Sequence, residues 1–97
     1  MRPVTLADLE VALRAVLARP HGLRLPLAQK LFSVARMAGK DGRKKDGKGP
    51  QLGADTLMAA AMQHPLAPRP ASFGAEEIAV FVVLLNELSK TLSHQEN

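Results

Sequence analysis

Apolar side chains recur along this chain with the spacing of helices, and they fall in four groups. Leu6, Leu9, Leu13, Val16 and Leu17 form the first, with Asp8, Glu10 and Arg14 between them. Thr5 followed by Asp8 reads as a capping box, and Val4 is placed to pack one turn inside. A helix is predicted over 6–18, stopped by Pro20, with "PHG" as the turn. In the second group Leu27, Leu31, Val34, Ala35 and Ala38 make one stripe beside Phe32, while Gln29, Lys30, Ser33 and Arg36 face away. Pro26 suits a first helical position and Gly39 a C-terminal cap, which predicts a helix over 26–38.

Leu57, Met58, Ala61 and Met62 predict a short third helix over 54–63, with Asp55 or Thr56 at its start. The last group, Ile78 to Leu92, predicts a helix over 75–93. Glu76 and Glu77 sit in its first turn, where they favour the helix dipole. Ile78, Phe81, Val82, Leu85, Leu88 and Leu92 are expected to face inward. Val80, Val83 and Leu84 leave the first half of this helix apolar nearly all round. Self-association through Ile78, Val80, Phe81, Val83 and Leu84 is therefore expected, against the alternative of a central helix in a monomeric bundle. The closing "HQEN" is expected to fray. No segment has the period of a strand, so the expected fold is all-α: one domain over 1–97, built as a small bundle of four short helices.

Two stretches interrupt the helical pattern. "PLAPRPASFG", within 64–74, is a Pro-rich and extended connector. Residues 39–53 contain four glycines between Gly42 and Gly53 and almost no large apolar side chain, and are expected to form a flexible basic loop.

Charge sharpens the interest of that loop. Arg36 to Lys48 holds six of the thirteen basic residues and two of the nine acids, leaving seven of each elsewhere. The whole formal charge of +4 therefore sits in one segment. A localised basic patch points to a polyanion more than a uniformly high pI does. Arg36, Lys40, Arg43, Lys44, Lys45 and Lys48 are the candidate DNA contacts, acting on phosphates without sequence preference. The other reading is a solvated loop whose charges only keep the chain in solution.

Little else carries chemistry. "GRKKDGK", Gly42 to Lys48, satisfies the G-x-x-x-x-G-K skeleton of a P-loop. It has a helix before it, Gly49 where Ser or Thr would hold magnesium, and Pro50 next, so a nucleotide site is not expected. His21, His64 and His94 are far apart in sequence, and no metal or catalytic constellation is expected around them. Met58 and Met62 read as core packing. The chain has no cysteine, which excludes disulfides and thiolate metal sites. Asp8 and Glu10 break the first apolar stretch, so it does not read as a signal peptide. The longest apolar run, Ile78 to Leu85, falls well short of the roughly 20 residues of a membrane span. A cytoplasmic, non-enzymatic protein without cofactor is the expectation.

The stretch "KKDGKGPQLGADTLMAAAMQHPLAPRP" resembles small helical proteins of alphaproteobacteria related to the small terminase of gene transfer agents. Those are phage-like particles that package host DNA. In them a basic, Gly-containing loop leads into a "G-(D/A)-(S/T)-L-M-A-A-A" helix, then a Pro-rich connector and an apolar final helix; the opening "MRPV" is also similar. The resemblance implies a homo-oligomeric DNA-packaging subunit that acts as adaptor to a large terminase. This chain is too short for the usual pair of a helix-turn-helix domain and an oligomerising core. That leaves the segment Lys40 to Lys48 as the DNA contact. The alternative function is a small helical protein-interaction or regulatory adaptor with no DNA role.

Overall fold

The computed structural model describes residues 1–44 and 56–95, with the side chains of 39–44 and 94–95 outside that description. It is all-helical, with no strand among the described residues. The four helices are α1 (Leu6–Leu17), α2 (His21–Lys44), α3 (Leu57–Ala61) and α4 (Ala75–Gln95). α1 and α2 pack on each other and both carry α3 and α4.

α1 starts where its capping box requires. Asp8 N–H donates to Thr5 Oγ1 at 3.1 Å, and Thr5 N–H donates to Asp8 Oδ2 at 2.8 Å. The other carboxylate oxygen of Asp8 reaches a different helix: Met58 N–H donates to Oδ1 at 3.1 Å. Met58 is the second residue of α3, whose N-cap Thr56 takes the next orphan donor, Ala59 N–H, at 3.0 Å. A five-residue helix is too short to stand alone in water. This one is held by Leu57, Ala60 and Ala61, all buried, and by Asp8. It is shorter than expected at both ends: Thr56 caps it and Met62 ends it.

α2 departs most from expectation. It spans 24 residues rather than 26–38, so "PHG" is no turn. Leu23 N–H already donates to the Pro20 carbonyl at 2.9 Å. Pro26 lies inside the helix and removes one bond, whose acceptor would be the Gly22 carbonyl. Gly22 is exposed, so water replaces the missing donor at little cost. The added first turn is anchored by Arg24. Its Nε donates to the Arg19 carbonyl at 2.8 Å, and its Nη2 to the Leu17 carbonyl at 3.1 Å and to Glu76 Oε2 at 2.7 Å. One guanidinium thus ties together the end of α1, the start of α2 and the start of α4.

At its other end α2 runs through Gly39 and Gly42 to Lys44, so the first part of the expected basic loop is helical. Each glycine costs about 1 kcal/mol in a helix. Lys40, Arg43 and Lys44 are good helix formers, and cations near a C-terminus favour the dipole. The remainder of that expected loop, 45–53, lies outside the described residues.

The core is assembled from small and branched side chains. Leu9, Ala12, Leu13, Ala15 and Val16 of α1 meet Leu27, Ala28, Leu31, Phe32 and Ala35 of α2, with Val80 and Leu84 of α4. The many alanines let helix axes approach closely. Leu6 and Val34, expected in the apolar stripes, are exposed instead. The Pro-rich connector is pinned along α1. Arg14 Nε donates to the Ala67 carbonyl at 2.8 Å, Ala67 N–H returns a bond to the Arg14 carbonyl at 2.9 Å, and Arg69 pairs with Glu10.

Asp8 therefore caps two helices from one buried side chain. Asp8→Ala is expected to cost about 2–3 kcal/mol, lowering the melting temperature by roughly 10 °C or more in a domain of this size. Thr5→Ala, which spares the Met58 bond, is expected to cost about 1 kcal/mol. Circular dichroism melts that gave equal losses would show that the α1–α3 tie contributes nothing.

Candidate interaction surfaces

α4 begins with the acids the sequence pattern placed there. Glu77 Oε1 accepts from Gly74 N–H at 2.9 Å, capping the helix, and Glu76 takes Arg24. Phe73, just before the helix, meets Phe81 edge-on at 5.7 Å between centroids and 87° between planes. These contacts set the rotation of α4 about its axis, and that rotation differs from the expected one. The face turned to the core is Val80, Leu84, Glu87 and Thr91. Val80 is 4% exposed and Leu84 0%, so these two expected interface residues belong to the core of the single chain. Phe81 and Val83 are half-buried against the same core. Of the five residues expected at an interface only Ile78 is openly exposed.

Outward lie residues that were expected inside. Ile78 is 50% exposed, Val82 49%, Leu85 41% and Leu92 49%. With Ser89 they are spaced four, three, four and three apart, the spacing of a coiled-coil seam. Ala79, Asn86 and Ser93 flank them, so this face carries no formal charge. Leu85, Leu88, Ser89, Leu92 and Ser93 line a shallow groove along it.

The two polar residues turned inward are satisfied. Thr91 Oγ1 donates to the Glu87 carbonyl at 3.0 Å, and Glu87 Oε2 accepts from Lys90 Nζ at 3.2 Å. Among the described residues no buried side-chain nitrogen or oxygen lacks a partner. The second half of α4 thus buries Glu87 and Thr91 beside the half-buried Leu88 and leaves Leu92 exposed among Ser89, Lys90 and Ser93. Both stripes obey the helical period, so periodicity alone did not separate them. Of the stripe expected inside, Phe81 and Leu88 do pack against the core, whereas Ile78, Val82, Leu85 and Leu92 turn outward.

Of the candidate DNA contacts, Arg36 is half-buried on α2. Lys40, Arg43 and Lys44 belong to the last turns of the same helix, with side chains outside the described ones. Lys45 and Lys48, and with them the P-loop-like skeleton, extend beyond the described residues. Arg24, which the sequence pattern did not single out, proves a structural tie between three helices.

His64 and His21 each acquire a neighbour that sequence distance concealed. His21 Nε2 lies 3.9 Å from Glu76 Oε2 at the surface. His64 follows α3 and meets Arg19 at the end of α1, with Arg19 Nη2 3.3 Å from its Nδ1. A guanidinium only donates, so Nδ1 must carry the lone pair and the ring is neutral in this contact. Partial burial, then the charges of Arg19 and Lys30, hold His64 below the ordinary histidine value. Among the described residues no three His, Cys, Asp or Glu side chains group as a metal site, and no helix is long and apolar enough to cross a membrane.

The lowered value sets a sign. The unfolded chain takes up the His64 proton first as pH falls through about 6.5, so His64 lowers folding stability progressively from there until its folded-state value is passed. His64→Gln keeps an acceptor for Arg19 but no proton to gain. Urea denaturation of wild type and variant from about pH 5 to pH 8 is expected to show stability rising with pH more steeply in the wild type. Parallel curves would remove His64 as a source of the slope.

A family model described as "Domain of unknown function (DUF7742)" matches residues 2–88. No curated protein and no solved structure matches. With nearly all of its length inside that match, the chain belongs to the DUF7742 family.

Proposed function

We propose that this protein works by binding rather than by catalysis, as a small helical adaptor whose docking element is the outward face of α4. The observation that carries this reading is the orientation of that helix: Glu87 and Thr91 are buried while Leu85 and Leu92 are exposed. A helix that faces only its own core has little reason to arrange itself so. Ile78, Val82, Leu85 and Leu92 lie along one stripe, with Ser89 between the last two, and exposed apolar surface of this kind marks interaction sites. Covering the remaining half of each side chain contributes about 1 kcal/mol apiece. A partner of matching shape roughly doubles that. The total is of the same order as the cost of association, about 4–15 kcal/mol, so the contact is reversible rather than permanent.

A second reading gives the adaptor a more specific task. The resemblance to gene transfer agent small terminases implies a DNA-packaging subunit, with DNA and a large terminase as partners. What favours its DNA half is the length of α2, which continues from Arg36 through Lys40 and Arg43 to Lys44. Cationic side chains carried on a helix neutralise phosphates without reading bases.

One substitution on the inner face of α4 and a pair on its outer face test the first reading. Val80→Glu puts a charge into the core and is expected to unfold the chain or cost about 3 kcal/mol or more. The pair Val82→Glu, Leu85→Glu lies on the outward face and is expected to leave the melting temperature within a few degrees. That folded double variant, tagged and cross-linked in its native cells, is expected to lose the protein contacts that the wild type makes, its own copies included. Identical cross-linking of the two would overturn the docking role of α4.

The second reading is tested by salt. Replacing Lys40, Arg43 and Lys44 with Gln is expected to weaken binding to any duplex and to flatten the slope of log affinity against log salt by about two to three. A fluorescence anisotropy titration in which the triple variant binds like the wild type would sink the DNA role.

A further inference from the structure

We infer that the occupant of the α4 face is the same face of a second copy, running antiparallel and crossing at Leu85. This rests on the binding reading above and names its partner. The face has the parts that helix pairing needs. In knobs-into-holes packing a side chain enters a hole made by residues i, i+3, i+4 and i+7 of the facing helix. Leu85, Leu88, Ser89 and Leu92 have that spacing and line the groove seen on α4, with the small Ser89 leaving room between three leucines.

Among the described residues nothing covers the stripe, whose Ile78, Val82, Leu85 and Leu92 stay 41–50% exposed. Residues 45–55 contain one large apolar side chain, Leu52, and residues 96–97 none. A second copy supplies that cover. The face carries no formal charge, so placing it against itself brings no like charges together at the centre. Outside Arg36 to Lys48 the basic and acidic residues are equal in number, so the two bodies do not repel through net charge there.

Direction follows from symmetry in the sequence. Ile78 lies seven residues before Leu85 and Leu92 seven after it, so an antiparallel pair sets isoleucine against leucine at both ends. Val82 of one copy then meets the Leu85, Leu88, Ser89 and Leu92 hole of the other. A parallel pair would instead set Ser89 on Ser89 and bring the two acidic first turns, Glu76 and Glu77, side by side. Antiparallel helices also oppose their dipoles, and the acidic first turns lie at opposite ends of the pair. Such a pairing is isologous and closes as a two-fold dimer. Ile78 to Leu92 spans about 21 Å of helix, a contact at the small end of specific interfaces, so the dimer exchanges with monomer.

The absence of cysteine makes the test clean. Ile78→Cys and Leu92→Cys are made separately, with tags of different size, mixed as full-length chains at about 100 µM and oxidised. Antiparallel pairing is expected to give mainly the mixed disulfide, Ile78→Cys to Leu92→Cys. Homodisulfides alone would overturn the direction. Sedimentation of the wild type, which no substitution perturbs, is expected to show a monomer–dimer equilibrium in the tens of micromolar. Val82→Glu is expected to weaken it about tenfold or more. A wild type that stays monomeric at about 200 µM overturns self-pairing. If the Val82→Glu, Leu85→Glu variant nevertheless loses a different protein in cells, the binding reading stands and only its occupant changes.

Discussion

One carboxylate fastens the two ends of the described core. Asp8 sits in the first turn of α1, yet its two oxygens serve α1 and α3 at once, Oδ2 taking the Thr5 donors and Oδ1 the Met58 N–H. Fifty residues separate Asp8 from Met58. Closing a chain of that length has an entropic cost that a five-residue helix cannot offset by its own hydrogen bonds. The closure is stable because the capping bonds and the burial of Leu57, Ala60 and Ala61 arrive together. Once α3 is seated, the Pro-rich segment after it has only a short distance to run. The exchange of bonds between Arg14 and Ala67 then lays it along α1, and its end delivers Phe73 and Gly74 to the start of α4.

Arg24 performs the matching task at the other end of α1. Its side chain is 14% exposed and its donors go to the carbonyls of Leu17, at the end of α1, and Arg19, just beyond it, and to Glu76 of α4. The position is favourable for a cation twice over, since helix C-termini attract positive charge and an acid lies opposite. It also explains why α2 begins at His21 although its first buried apolar residue is Leu27. The extra turn carries no core residue; it exists to place a guanidinium.

Sequence pattern was legible where local chemistry and tertiary packing agree. α1 was legible to a residue at its start, because the Thr5 and Asp8 spacing is a local motif. The class of the fold and the four helices followed from periodicity. What stayed hidden was non-local. Pro20, Gly22 and Pro26 all read as breaks, and only the distant partners of Arg24 show why the helix forms across them. Gly39 read as a cap, though nothing required the helix to stop there. α4 posed a different problem: Val80, Leu84, Glu87 and Thr91 trace one face as well as Ile78, Val82, Leu85 and Leu92 trace another, and hydrophobicity favoured the second. Glu87 and Thr91 are accommodated inside because Lys90 and a backbone carbonyl satisfy them, and no count of apolar residues registers that.

The rotation of α4 therefore decides what the surface offers. At its N-terminal end three contacts agree on one orientation: Glu76 on Arg24, Phe81 on Phe73, and Val80 with Leu84 in the core. Turning the helix to bury Leu85 and Leu92 would pull Glu76 from Arg24 and expose Val80 and Leu84, to gain two leucines. A rigid helix cannot obey one orientation in its first half and another in its second. Its outward stripe is thus a consequence of how its beginning is held, and the free energy left in that stripe is recovered only when another surface covers it. On the proposed reading, the contact of Arg24 with Glu76 supports binding at Leu85 and Leu92 without touching the partner.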